Sequence, residues 1–357
     1  MRAVLGIVAV AGLTGGAAEA QDALSYSFEG RAGLGYLSQR TESGNETGFA
    51  YEAPVLAVEG TGRIEFQPTD LLRFGALARV QWQKGRESNY DRLTPVGPFE
   101  GAGAKFGGTE LDMAVYAAVS VVTLSYGDME TAFDRATREI AQGDSILDGG
   151  NAVWLNIGDG AGSGGFRDGL SSGPGKGPDL RTLRADVQLG DFTLSASRSK
   201  GQPTFGPEIR VDAAGLTWEH EFDGATLFAG IGYDKGPLDR FRSFSLGATA
   251  AGFNLILGRI HREPLVVNSG FTAAYDTTFR GASLSYDFGD FTLGMAKSSQ
   301  DIRPFADAVF EGKARAIFAS WQARDNVSVD FEYSKSEYRV VSGDDTRKAS
   351  IAVALEF

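Results

Sequence analysis

The sequence predicts an all-β chain of about 16 antiparallel strands, on three observations. Apolar and polar residues alternate with a period of 2 through much of the chain, tight turns recur every 28 to 37 residues in its second half, and no stretch after residue 20 holds 18 consecutive apolar residues. Period 2 marks strands with one apolar and one polar face, and the missing apolar run excludes a helix that crosses a membrane.

The first twenty residues stand apart. Arg2 precedes an apolar run from Ala3 to Leu13, and Ala18-Glu19-Ala20 places small residues before a cut at Gln21. This is the pattern of a signal peptide over residues 1–20, leaving 21–357 exported. Export without a helical anchor leaves a soluble secreted protein or an outer-membrane barrel.

The strands then follow in order. Tyr26, Phe28, Ala32, Leu34 and Tyr36 alternate with Glu29, Arg31 and Gly33; Leu56, Val58, Ile64 and Phe66 alternate with Glu59, Thr61, Arg63 and Glu65. After a turn at Pro68-Thr69-Asp70, Phe74, Ala76, Ala78, Val80 and Trp82 alternate with Arg73, Gly75, Arg79 and Gln81. Turns near 190, 224, 252, 289 and 325 separate further alternating pairs, so the repeating unit is a hairpin with one short and one long connection. Gly190-Asp191-Phe192-Thr193-Leu194 is nearly duplicated at Gly289-Asp290-Phe291-Thr292-Leu293. Alternation slips near 119–126, 209–212 and 311–323, where bulges are expected. The longest stretch without alternation runs from about 127 to 179. Within it, Phe133, Ala136 and Ile140 share one face of a helix expected over 130–141, while Gly dominates 158–177.

Composition narrows the chemistry. The chain has no Cys and two His, which excludes a disulfide scaffold and a thiolate site. A net charge of -12 excludes a nucleic-acid binder, which needs a basic footprint. Gly173-Pro174-Gly175-Lys176-Gly177 lacks the Ser or Thr of a phosphate loop. His220 and His261 fall on different hairpins with no Ser beside either, so the chain is read as no enzyme.

Periodicity alone does not say whether the apolar face points into a sandwich or out to lipid. Three features favour the barrel. Ionisable groups crowd the polar parity, including Arg184, Asp186, Asp330 and Glu332; aromatics such as Tyr36, Phe66, Trp82, Phe192 and Phe291 sit at strand ends on the apolar parity; and the last alternating strand ends at Phe357, a terminal aromatic that serves as a signal for barrel assembly.

At specific residues the sequence resembles the 16-stranded general porins of Gram-negative bacteria, in particular the alphaproteobacterial, Rhodobacter-type porins. The segments that carry the likeness are Gly30-Arg31-Ala32-Gly33-Leu34-Gly35-Tyr36, Thr69-Asp70 with Phe74-Gly75-Ala76 and Arg79-Val80-Gln81-Trp82, Gly127 to Asp134, and the strand ending at Phe357. The resemblance implies a homotrimer of water-filled transmembrane barrels in the cell outer membrane, with short periplasmic turns, long external loops and one loop folded into each pore. It also implies outer-membrane lipids and lipopolysaccharide, the barrel assembly machinery, and small hydrophilic solutes and ions as partners, with no nucleic acid.

Parity adds one half of a constriction. Arg31, Arg63, Arg73 and Arg79 fall on the lumen parity of three successive strands, and such a wall facing the loop acids Asp128, Glu130, Asp134, Glu139 and Asp144 sets up a transverse field. Arg31 and Arg79 match the porin segments, whereas Arg63 and Arg73 rest on parity alone. No cofactor is expected, and calcium at the loop acids stays open because nothing fixes a ligand spacing. Net charge points to a preference for cations. A substrate-specific channel and a soluble β-rich binding protein are the alternatives.

Overall fold

A computed structural model describes residues 23–43, 49–86, 91–94, 97–99, 105–138, 140, 181–201, 209–237, 239–264, 276–303, 310–339 and 344–357. The signal segment, Glu139, Asp144 and the Gly-rich stretch therefore lie outside the described residues. Where the wall leaves and re-enters this gap is clear: strand structure ends at Asp128 and resumes at Arg181.

The first half of the wall comprises β1 (Leu24–Ser43), β2 (Phe49–Thr69), β3 (Leu72–Arg86), β6 (Lys105–Val119), β7 (Val122–Asp128), β8 (Arg181–Leu189), β9 (Phe192–Gly201) and β10 (Ile209–Phe222). The second comprises β11 (Ala225–Lys235), β12 (Asp239–Ala250), β13 (Phe253–Pro264), β14 (Asp276–Phe288), β15 (Phe291–Arg303), β16 (Phe310–Arg324), β17 (Val327–Arg339) and β18 (Asp344–Glu356). Two short strands, β4 (Asp91–Thr94) and β5 (Gly97–Phe99), form a side hairpin on β2. Each of the 16 wall strands pairs antiparallel with its neighbours, and β1 pairs with both β2 and β18, so the sheet closes on itself. Closure leaves no unpaired edge. The seam is sealed by Phe357, whose N–H donates to the Gly30 carbonyl at 2.9 Å while its own carbonyl accepts from the Gly30 N–H at 2.9 Å. Its ring lies over Gly30, where a Cβ would press on it.

The expected short turns are all present at one end of the barrel. At 251–252 both Ala251 (φ 50°) and Gly252 (φ 82°) take positive φ, the geometry of a two-residue hairpin turn that follows the strand twist. Of the three irregular segments, 209–212 runs in unbroken register without the expected bulge, and the other two have identifiable causes. Residues 120–121 are a turn, and the ladder shifts between Gln322 and Arg324. The stretch 311–323 looked apolar on both faces because Ala314, Ala316 and Phe318 are buried on the inner wall while Ile317 and Trp321 face out.

Burial settles which face is which. Tyr26, Leu34, Met113, Leu194, Met295 and Ile351 are exposed on the outside, with Met113 and Met295 each at 60%. An apolar surface this extensive encircling a barrel is what lipid covers, since water would penalise it. At the short-turn edge of this band Phe253, Tyr286, Phe288, Phe291 and Trp321 form a chain of rings with centroids 4.3 to 5.9 Å apart. The opposite parity, with Arg31, Glu59, Arg184, Asp186, Asp330 and Glu332, lines the lumen.

Candidate pore constriction

The chain leaves the wall at Gly127, whose φ of 149° and close approach to the Met113 carbonyl exclude a side chain. It then turns inward into a short helix, α1 (Ala132–Ala136). The helix is shorter than the 130–141 expected from its apolar spacing, and ends at an extended Thr137. Thr131 and Asp134 form a capping box: the Asp134 N–H donates to Thr131 Oγ1 at 3.3 Å, and the Thr131 N–H donates to Asp134 Oδ2 at 3.0 Å.

Five residues do not make a stable helix alone, so α1 depends on what it packs against. It lies on the lumen face of β9 to β12. Phe133 and Ile140 are almost wholly buried with Phe241, Ile260 and Phe279 and with inward alanines of β10, β15 and β16, an apolar cluster inside the barrel. Gly215, Gly230 and Gly232 make room for it. A Cβ at the first two would overlap the carbonyls of Ala132 and Ala136, and at the third would press on Phe133.

Polar contacts fix the rest of the segment. The Ala132 N–H donates to Ser197 Oγ at 2.9 Å, the Arg138 N–H to Ser245 Oγ at 3.1 Å, and that hydroxyl to the Ala136 carbonyl at 3.0 Å. Asp186 of β8 is the hub: it accepts from Arg184 Nε at 3.0 Å, Arg135 Nη1 at 3.2 Å and Ser195 Oγ at 2.6 Å, while Arg184 Nη1 donates to the Glu130 carbonyl at 2.8 Å. Arg138 reaches Glu219 at 2.9 Å and stacks 4.1 Å over the Phe228 ring.

The arginine wall occupies the far side. In the ring of 16 strands β1 and β11 are eight steps apart in both directions, so β1 to β3 stand across the lumen from the strands that hold α1. All four expected arginines have lumen parity, and two are tied to neighbouring acids. Arg31 Nε donates to Glu59 at 2.5 Å, and Arg73 lies 3.8 Å from Glu65 and 6.0 Å from the Tyr116 ring centre. Glu65 also accepts from the Tyr116 hydroxyl. Arg63 and Arg79 are exposed and make no ion pair among the described residues.

The acidic half differs from expectation in its details. Asp134 is spent on the helix cap, Glu130 is exposed but anchored through its carbonyl, and Asp128 ends β7 opposite Arg181. The described part of the loop presents cations as well, since Arg135 and Arg138 are each more than a third exposed. Reading the loop for acids alone missed them. The signal available was the inward parity of Asp186 and Glu219, carboxylates that two loop cations could meet. Among the described residues no three of His, Asp and Glu gather as metal ligands.

Both histidines face outward. His220 stacks on Trp218 and lies 2.7 Å from Asp191; His261 Nδ1 lies 3.1 Å from Thr278 Oγ1 and 3.6 Å from Asp276. Thr278 and Asp276 address the same ring nitrogen, whereas a proton relay uses both.

No family model and no curated protein matches the chain. Solved structures do. OmpT, an outer membrane protein of Vibrio cholerae in a trimer form, covers 94% of this chain and 100% of its own at TM-score 0.57 and 10% identity. Pseudomonas aeruginosa OpdQ covers 93% and 99% at TM-score 0.51 and 12% identity. A triple mutant of Rhodopseudomonas blastica porin aligns over 93% and 100% at TM-score 0.45 and 16% identity. The fold is that of the outer-membrane barrels.

Proposed function

We propose that the chain is an outer-membrane channel of the porin type in a Gram-negative bacterium, through which small hydrophilic solutes and ions diffuse passively. The observation that supports this best is the loop segment built onto the lumen wall by buried apolar and charge-assisted contacts, across from a wall bearing Arg63 and Arg79. A segment so held narrows the passage without sealing it by its own motion. Two arginines with no ion pair among the described residues on one side and mixed charges on the other give a transverse field. A polar solute aligns with it, while an apolar one must displace ordered water and gains nothing.

Diffusion rather than capture follows from the pairing. Arg31 and Arg73 are partly neutralised by Glu59 and Glu65, so the wall attracts anionic groups weakly enough to release them. Inward acids such as Asp112, Asp186, Glu219, Asp330 and Glu332 outnumber the inward arginines of the described strands, which favours cations. The outward face of β1 to β3 is apolar, with Phe28, Phe66 and Phe74 exposed beside Ala32, Ala76 and Ala78, and we assign part of it to contact between three copies.

Reconstitution into planar bilayers tests the reading. Stepwise conductance with a reversal potential of cation sign in a salt gradient is expected. Recovery of the protein from the aqueous fraction without detergent, or absence of steps, refutes the channel; saturable block by one solute class would assign it instead to the substrate-specific channels. A band that collapses to monomer only on heating is the expected sign of the trimer.

A further inference from the structure

We propose that the seat of the Arg138 side chain is a guanidinium site inside the pore, filled at rest by the chain's own arginine and open to guanidinium-bearing solutes that exchange with it. Phe228 of β11 is the floor: it is buried, and the Arg138 guanidinium carbon lies 4.1 Å over its ring centre. Glu219 of β10 is the wall, and its Oε2 accepts from Arg138 Nη2 at 2.9 Å. Gly247 of β12 borders the arginine stem, whose Cδ lies 3.8 Å from the place a Cβ would take. Strand register brings these parts together, since Glu219 stands directly opposite Phe228 and Phe228 opposite Gly247.

What holds this side chain is separate from what holds its backbone. The Arg138 N–H donates to Ser245 Oγ at 3.1 Å, and the flanking Phe133 and Ile140 are packed into the apolar cluster of the lumen. The guanidinium can therefore leave its seat while the loop stays in place. Its own ties are open to water: the side chains of Arg138 and Glu219 are 37% and 50% exposed, and an exposed ion pair is weak. Arg135 and Arg184 differ, because the carboxylate they share on Asp186 is buried and closed to a solute.

The combination of ring face and carboxylate selects a guanidinium over other cations. A planar guanidinium lies flat on an aromatic face and still points N–H groups sideways at a carboxylate, whereas an ammonium is more strongly hydrated and loses more on leaving water. Two residues along β10, Glu221 shares the lumen parity of Glu219, is exposed and has no ion pair among the described residues. It is the last inward residue before the turn at 223–224, so a cation entering from the short-turn end meets it before the occupied seat. Occupancy by Arg138 is what keeps the seat from retaining solutes. A tethered side chain has a high local concentration, so a free guanidinium displaces it briefly and passes on.

Solute exchange at this seat rests on the channel reading, and the two can fail separately. The test is saturation-transfer NMR of the full chain in neutral detergent, with methylguanidinium as the probe and methylammonium as the control cation, beside single-channel recording with the same two cations. Arg138→Gln is expected to bind methylguanidinium at least about tenfold more tightly than the wild type, because the resident competitor is gone, and to prefer it to methylammonium. Adding Glu219→Gln is expected to abolish that gain, and adding Phe228→Leu to remove the preference over methylammonium. If the Phe228 variant fails to fold, the Glu219 variant and the two cations decide. In single channels Arg138→Gln is expected to show brief, saturable interruptions by methylguanidinium that the wild type shows only at about tenfold higher concentration. Equal affinity in the wild type and Arg138→Gln, a gain that survives Glu219→Gln, or equal binding of the two cations would each overturn the proposal. Conductance steps without this binding pattern leave the channel reading intact, whereas the binding pattern without conductance steps leaves the site standing and removes the channel.

Discussion

Among single residues, Asp186 and the pair Arg63 and Arg79 have the clearest separate roles. Asp186 holds Arg184 and Arg135 at once, and both it and Arg184 are buried. Asp186→Asn leaves a buried guanidinium without its anion, a change that costs about 3–5 kcal/mol where it has been measured in buried pairs. A lowered unfolding midpoint in detergent together with noisier single-channel current is the expected outcome; quiet current would mean that Asp186 does not hold the loop. Arg63→Gln with Arg79→Gln removes the two wall arginines that make no ion pair among the described residues, and the reversal potential is expected to move further toward cations. If selectivity does not move, the field is set elsewhere. Arg31→Gln is expected to shift it less, because Glu59 already neutralises that charge.

On the scale of an element, α1 persists through its cap and its seat. Thr131→Ala removes one half of the capping box and costs about 1 kcal/mol, confined to the helix. Barrel unfolding is expected to stay unchanged while proteolysis within the loop accelerates. Gly230→Val is more severe, because its Cβ falls on the Ala136 carbonyl and the segment must move. Larger or unsteady unit conductance is expected, with barrel stability falling by about 1–3 kcal/mol as for an overpacked core. Unaltered conductance would show that α1 does not border the narrowest part of the pore. The helix itself was only half legible beforehand: Phe133, Ala136 and Ile140 announced a buried face, but not where the helix stops. Thr137 ends it because its hydroxyl is bonded to Ser243 of β12, 106 positions away, and no local pattern contains that contact.

For the whole molecule, two averages conceal a separation in space. A mean hydropathy of -0.15 is the sum of an outward apolar band and an inward polar wall. A net charge of -12 likewise conceals cations arrayed on the outside and carboxylates in the lumen. Raising salt is therefore expected to flatten ion selectivity in the pore, which reversal potentials at increasing ionic strength check.

The alternation of side chains determined the strands, their number and their turns, because a period of 2 is local and each strand states its own two faces. It also determined the arginine parity, since Arg31, Arg63, Arg73 and Arg79 keep their phase from strand to strand. Only the tertiary structure decided what those residues meet. Glu59 faces Arg31 through register, Asp186 gathers Arg184 and Arg135 through closure of the wall around the loop, and three glycines on β10 and β11 open the seat for α1. The row of outward cations became visible in the same way, because Lys297, Arg315, Lys335 and Arg347 are scattered over fifty residues of sequence and become neighbours only when hydrogen-bond register aligns their strands. Periodicity is a property of one strand, whereas adjacency is a property of the closed sheet.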